Sequence, residues 1–227
     1  MNGLWRCAKY AFAPNYLKYC GPDKNKELAG YLATKTTDLG LAEMLQKFSA
    51  MYPYLKLIAA ENGIADVFDQ QVVEAYWLGN EMLDRVTMKG FFEHAKSRLP
   101  AKERKWFELK LPLGAKPHHN FHVFNFIKRT GHKAVNHTVE TMDNCRISSG
   151  VVVNPMKVKT DRLIYANGKL RLQPGAIKTI KNIDNDLKIG DLVTLHWGWV
   201  CEKIDRQRAK NLDKYTRRHL ALANQTI

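Results

Sequence analysis

One change in the spacing of apolar residues constrains this chain more than any other feature. Before Pro112-Leu113-Gly114 they recur every three or four positions; after it they come in short alternating runs. A period near 3.6 buries one face of a helix, and a period of two buries one face of a strand. An α+β fold follows, with helices first and a sheet second.

In the helical part, Leu41, Met44, Leu45, Phe48 and Met51 form one stripe. Pro53 lacks an amide donor, so it kinks or restarts that helix. Tyr54 to Glu61 continues as helix and Gly63 stops it. Asp69 is placed to cap a helix over 70–78, with Gly79-Asn80 as its exit. Two more helices are expected over 88–98 and 102–109. Near the start, Pro14 and Gly21-Pro22 punctuate Ala13 to Pro22, which reads as a structured loop.

In the second part, strands are expected over 120–128, 145–153, 157–165, 169–172, 176–181 and 191–200. Asn154-Pro155, Asn167-Gly168 and Pro174-Gly175 are the turns between them. Asn167-Gly168 between two alternating runs is a strong hairpin signal. Short strands at this spacing suggest a small closed, OB-like β-barrel. Asp205 caps a last helix to Ala223, with Leu212, Tyr215, His219 and Leu220 on its inner face. The expected organisation is a helical domain over 1–115, a connecting strand region over 116–142, and a barrel with its C-terminal helix over 143–227.

The chain has 227 residues and a net charge of +14. Such a balance suits an acidic partner: nucleic acid, an anionic surface or an acidic protein. Residues after Glu140 are the more basic per residue, yet there is no lysine or arginine block. No apolar run approaches the ~20 residues of a membrane span. The start has no clean apolar signal segment, which implies a cytoplasmic chain. Cys7, Cys20, Cys145 and Cys201 stand far apart with no CxxC pair, so thiols are expected rather than disulfides or a zinc ribbon.

Three groups of residues could carry chemistry. Lys116-Pro-His-His-Asn-Phe-His-Val-Phe124 packs three histidines into five positions. If Pro117 opens a helix, His118 and His122 share a face and could chelate a metal, although the HExxH glutamate is absent. If the run is a strand, as its Phe and Val content favours, they lie ~13 Å apart at ~3.3 Å per residue and cannot bind one ion. His119 then faces the opposite side. The second group is Tyr19-Cys20-Gly21-Pro22, where a cysteine at a tight turn is either exposed and reactive or merely packed. The third is Glu74-Ala-Tyr-Trp77, where burial against Trp77 would raise the Glu74 pKa.

Gly190-Asp191, Val193, His196, Gly198 and Glu202-Lys203-Ile204-Asp205, followed by a charged helix, resemble the C-terminal part of the HypC/HupF hydrogenase-maturation chaperones. Asn144-Cys145-Arg146-Ile147 and the apolar run to Val153 look like that family's opening strand. The resemblance covers about residues 143–225. The whole chain also resembles an uncharacterised prokaryotic family with YCGP, VEAYWxGN, PHHxFHVF and CRI landmarks; Cys20, Glu74, Trp77 and Arg146 belong to these. The chaperone likeness implies that Cys145 binds an iron unit carrying cyanide and carbonyl, with His196 beside it. It also implies delivery to a hydrogenase large subunit precursor with a HypD-like scaffold partner. The chaperones' cysteine is N-terminal, whereas Cys145 is internal, and Ser148-Ser149 replaces their proline.

Two function classes follow. The first is a cytoplasmic accessory chaperone or cofactor carrier, with Cys145, His196, His118, His119, His122 and Cys20 around a domain joint. The second is a metal-dependent or acid/base enzyme using Cys20, Glu74 and the His118–His122 cluster. A nucleic-acid-binding barrel with Trp197 and Trp199 stands third.

Overall fold

A computed structural model of the chain describes residues 2–96, 98–126, 130–183 and 186–226. Among the described residues, ten helices precede a sheet and one follows it. They are α1 (Gly3–Tyr16), α2 (Asn25–Thr34), α3 (Leu39–Gln46), α4 (Tyr52–Glu61), α5 (Gln70–Trp77), α6 (Glu81–Arg85), α7 (Met88–Lys96), α8 (Ala101–Lys110), α9 (His119–Asn125) and α10 (Val139–Cys145). Then come β1 (Ser148–Asn154), β2 (Lys157–Ala166), β3 (Lys169–Thr179), β4 (Leu192–His196), β5 (Trp199–Lys203) and α11 (Arg206–Ala223).

The α+β order matches the change in spacing. The Asp69 side chain accepts from the Gln71 and Val72 amides and starts α5 as expected. Pro53 lies in the first turn of α4, so it restarts the chain rather than bending one long helix. Phe48 and Met51 are still buried, but from the connection between α3 and α4. Asp205 caps α11, which buries Leu212, Tyr215, His219 and Leu220.

Helix stands at two places where the residue pattern suggested loop or strand. The Ala13–Pro22 stretch is not all loop: α1 runs through Pro14 to Tyr16. Its buried neighbours, Tyr10 to Asn15, hold the helix against the proline's missing bond. The run from Asn120 is not a strand but α9, and α10 follows it, so the 116–142 connection contains helices; residues 127 and 128 of the expected strand lie outside the described residues. His118 supplies the reason, because its Nδ1 accepts from the Asn120 amide as an N-cap. Phe121 and Phe124 then bury on successive turns. Tertiary burial overrides the strand preference of Phe and Val.

The sheet is antiparallel, in the order β3-β2-β1-β4-β5. Asn167 and Gly168 both take positive φ, 53° and 73°, and close the β2–β3 hairpin. Pro174-Gly175 does not end a strand; β3 runs through it. The expected 191–200 strand divides at Trp197-Gly198, which turn β4 into β5. The ladder is open and does not by itself show a barrel. An isolated parallel bridge from Lys181 to Trp199 brings the chain leaving β3 back to β5. Val152, Val158, Ile180, Val193, Leu195 and Val200 fill the curl.

The main core joins the helices to the sheet's end. It runs from Cys7 and Tyr10 through Leu55, Val73 and Phe121 to Cys201 and Tyr215. Each fully buried side chain of this kind contributes about 1.5–3 kcal/mol. Among the described residues no helix is long and apolar enough to cross a membrane.

Candidate metal centre

Pro14 costs α1 one hydrogen bond, and the site uses what is left over. Without an N–H, Pro14 cannot bond the Tyr10 carbonyl four residues back. His196, at the end of β4, donates its Nδ1–H to that carbonyl at 2.7 Å. The donation fixes the tautomer, so the lone pair lies on Nε2. Nε2 is buried and has no hydrogen-bond partner. A buried, unpartnered imidazole nitrogen costs free energy unless something binds it.

His119 and Cys145 complete the group. One ligand atom from each of His119, Cys145 and His196 lies within 4.8 Å of the others. His119 comes from the first turn of α9 and Cys145 from the end of α10. The His119 and His196 ring centres are 5.0 Å apart. His119 donates from Nε2 to the Cys145 carbonyl at 2.8 Å, so its Nδ1 accepts from the Tyr76 hydroxyl at 3.3 Å. Trp77 packs against both imidazoles, at 4.7 and 5.8 Å.

The three residues line a cavity of about 40 Å3 with Cys20, Tyr76, Trp77, His122 and Trp197 on its walls. Burial holds His196 neutral, with its pKa pushed down to about 4, although the bond to the Tyr10 carbonyl and the nearby Cys145 backbone work the other way. Burial pushes His119 well below its ordinary value, and the neighbouring His196 adds to it. Both rings are therefore neutral at neutral pH, the form that ligates metals. The Tyr76 phenol is held well above its usual range by burial. The donor set, two neutral imidazoles and a thiol, fits a soft or borderline transition metal.

Cys20 reaches the cavity from the turn after α1. Its backbone is held there by Asn15, whose side-chain amide donates to the Cys20 and Pro22 carbonyls at 3.0 and 2.8 Å. Gly21 has φ +82°, and a Cβ there would strike the Phe48 ring at 2.3 Å. That is why the YCGP turn needs glycine.

The three clustered histidines thus face three ways. His119 joins the centre. His122 lies on the cavity's far wall, with its ring 5.9 Å from Tyr54. His118 turns inward against Tyr215 and His219, at 5.6 and 5.4 Å, and burial pushes its pKa down to about 3. His118 therefore packs on α11 and His122 on α4.

Glu74 does not reach the cavity. It is held by Arg6 at 2.7 Å and Arg208 at 2.8 Å. Arg146 ties α10 to the sheet through Asp143 at 2.8 Å and the Asp161 carbonyl at 2.6 Å. Tyr10, Tyr76 and Pro14 were missed as parts of the site. A proline within a helical run, Trp5 to Tyr16, was the available signal for the first and last.

The chain belongs to the family of unknown function DUF6390, which matches it over residues 1–227. No curated protein matches it. No solved structure matches it either.

Proposed function

We propose that the chain is an accessory metal carrier, with Cys145, His196 and His119 holding the ion. The observation that carries this reading is the convergence of their donor atoms within 4.8 Å around a buried nitrogen that has no partner. The bond from His196 to the Tyr10 carbonyl supports it, because it aims the ring and leaves the lone pair on Nε2.

Iron is the metal we favour. Cys145 and His196 are the pair that the likeness to HypC/HupF chaperones implies, and the chain returning from β3 to β5 suits an OB-like barrel. An internal cysteine has no α-amino group to offer, and His119 adds a third donor from the helical part. On this reading the iron carries cyanide and carbonyl, and the partner is a hydrogenase large subunit precursor or a HypD-like scaffold in the cytoplasm. The acid/base alternative loses its carboxylate, because Glu74 is committed to two arginines.

The test is anaerobic purification from a hydrogenase-producing host, with metal analysis and infrared spectroscopy. Near-stoichiometric iron with cyanide and carbonyl bands is expected. Cys145→Ser should weaken metal binding by at least about 100-fold, since changing a residue that only orients a ligand already costs about 10–100-fold. Bands that survive this substitution would remove Cys145 from the centre. Metal without bands would leave the centre standing and remove the hydrogenase assignment.

A further inference from the structure

A second cleft, of about 320 Å3, adjoins the small cavity. Ala50 and His122 line both spaces. Thr130, on the cleft wall, lies 3.6 Å from the Cys20 thiol on the cavity wall. One layer of side chains therefore separates them. The inner space suits an ion or a water-sized group. The outer one is in the range that accepts an organic molecule.

The cleft's chemistry narrows the class of guest. Tyr54, Leu99 and Phe126 give it apolar and aromatic walls. Arg98 is exposed at its edge and has no ion-pair partner among the described residues. Its charge reaches inward: burial first, and Arg98 second, push the His94 pKa down to about 4. His94 is then neutral at neutral pH, and Arg98 is the one arginine or lysine among the described lining residues. Glu103 is the one carboxylate there. It disfavours a guest with two negative charges. A guanidinium recognises a carboxylate through two parallel bonds, and aromatic walls favour a flat apolar body.

We propose that this cleft binds a small aromatic monocarboxylate, its carboxylate on Arg98 and its ring against the aromatic wall of Tyr54 and Phe126. His122 stands between that guest and the Cys145–His196–His119 centre. The coupling to the centre rests on the metal reading above; the cleft itself does not.

Benzoate is the probe, titrated into the full metal-free chain and followed by NMR. Saturable binding is expected, with shifts at Tyr54 and His94. Arg98→Ala should weaken it at least about tenfold, and Arg98→Lys less, because lysine keeps the charge but not the fork. Non-saturable shifts, or equal affinity in Arg98→Ala, would overturn the cleft. Cobalt-loaded protein tests the coupling. Benzoate should perturb the cobalt absorption bands in the parent chain and not in Arg98→Ala. Bands indifferent to saturating benzoate would remove the link to the centre. A chain that takes up no cobalt would remove the metal reading while the metal-free titration still judges the cleft.

Discussion

Two buried polar clusters meet at Tyr10, and they are built on opposite rules. In the first, every group has a partner. Arg6 pairs with Glu74 at 2.7 Å and Glu202 at 2.9 Å, and the Tyr10 hydroxyl bonds Thr194 at 2.9 Å and donates to Glu202 at 2.8 Å. In the second, the Tyr10 carbonyl aims His196, whose Nε2 then faces a cavity with no partner. The ionic cluster fastens α1 to the sheet. The imidazole cluster leaves binding capacity unspent, which is what a ligand site needs and a purely structural one avoids.

Acid should separate the two most strongly. Burial depresses the pKa of His196 to about 4, from an ordinary 6.5, and that of His118, packed on Tyr215 outside both clusters, to about 3. The unfolded chain therefore binds protons that the folded chain refuses in this window. The contribution is whole above pH 6.5 and is lost as pH falls towards 4, by about 1.4 kcal/mol per unit for each histidine. Thermal unfolding at pH 7 and pH 5 should show a loss of several kcal/mol. His196→Asn should flatten the slope. A melting temperature that does not move between these pH values would break the contrast.

The ionic cluster should fail through its centre. Arg6→Ala leaves the buried Glu202 without its cation and Glu74 with Arg208 alone. Breaking a buried pair from one side costs about 3–5 kcal/mol. Urea unfolding measures it. A cost below about 1 kcal/mol would mean that water reaches the cluster and that it is less structural than its bonds suggest.

Sequence patterns revealed the parts of this molecule governed by local chemistry. Asp69 starting α5, Asn167-Gly168 turning β2 into β3, and Asp205 capping α11 each depend on neighbours within a few residues. The run from Asn120 misled, because His118 capping is a local signal that Phe and Val content outweighed. Cys145 and His196 stood out only through family likeness, since about fifty residues separate them. Choosing His119 over His118 and His122 needed the helix phase and the position of Tyr215 against His118. Glu74 was misjudged for the same reason: its two arginines lie 68 and 134 residues away.

Pro14→Ala probes the junction itself. The new amide would compete with His196 for the Tyr10 carbonyl. Helix propensity alone favours alanine by up to about 3 kcal/mol, so the chain should become more stable while cobalt affinity falls several-fold. Greater stability with unchanged affinity would show that the carbonyl, which has two lone pairs, serves both donors.

Tyr76→Phe is the smallest change and reads one proton. In the structure His119 carries its proton on Nε2, towards the Cys145 carbonyl, and accepts at Nδ1 from Tyr76. Should His119 bind metal through Nε2, that proton must move to Nδ1, and the Tyr76 hydroxyl must turn from donor to acceptor. A hydroxyl does both and a phenyl ring does neither. Losing such an outer partner costs about tenfold in metal affinity at the lower end of the usual range. Cobalt titration should show that loss. If His119 instead binds through Nδ1, the phenol is a competitor and its removal should tighten binding. The sign of the change therefore tells which nitrogen faces the ion, and no change at all would leave Cys145 and His196 without their third donor.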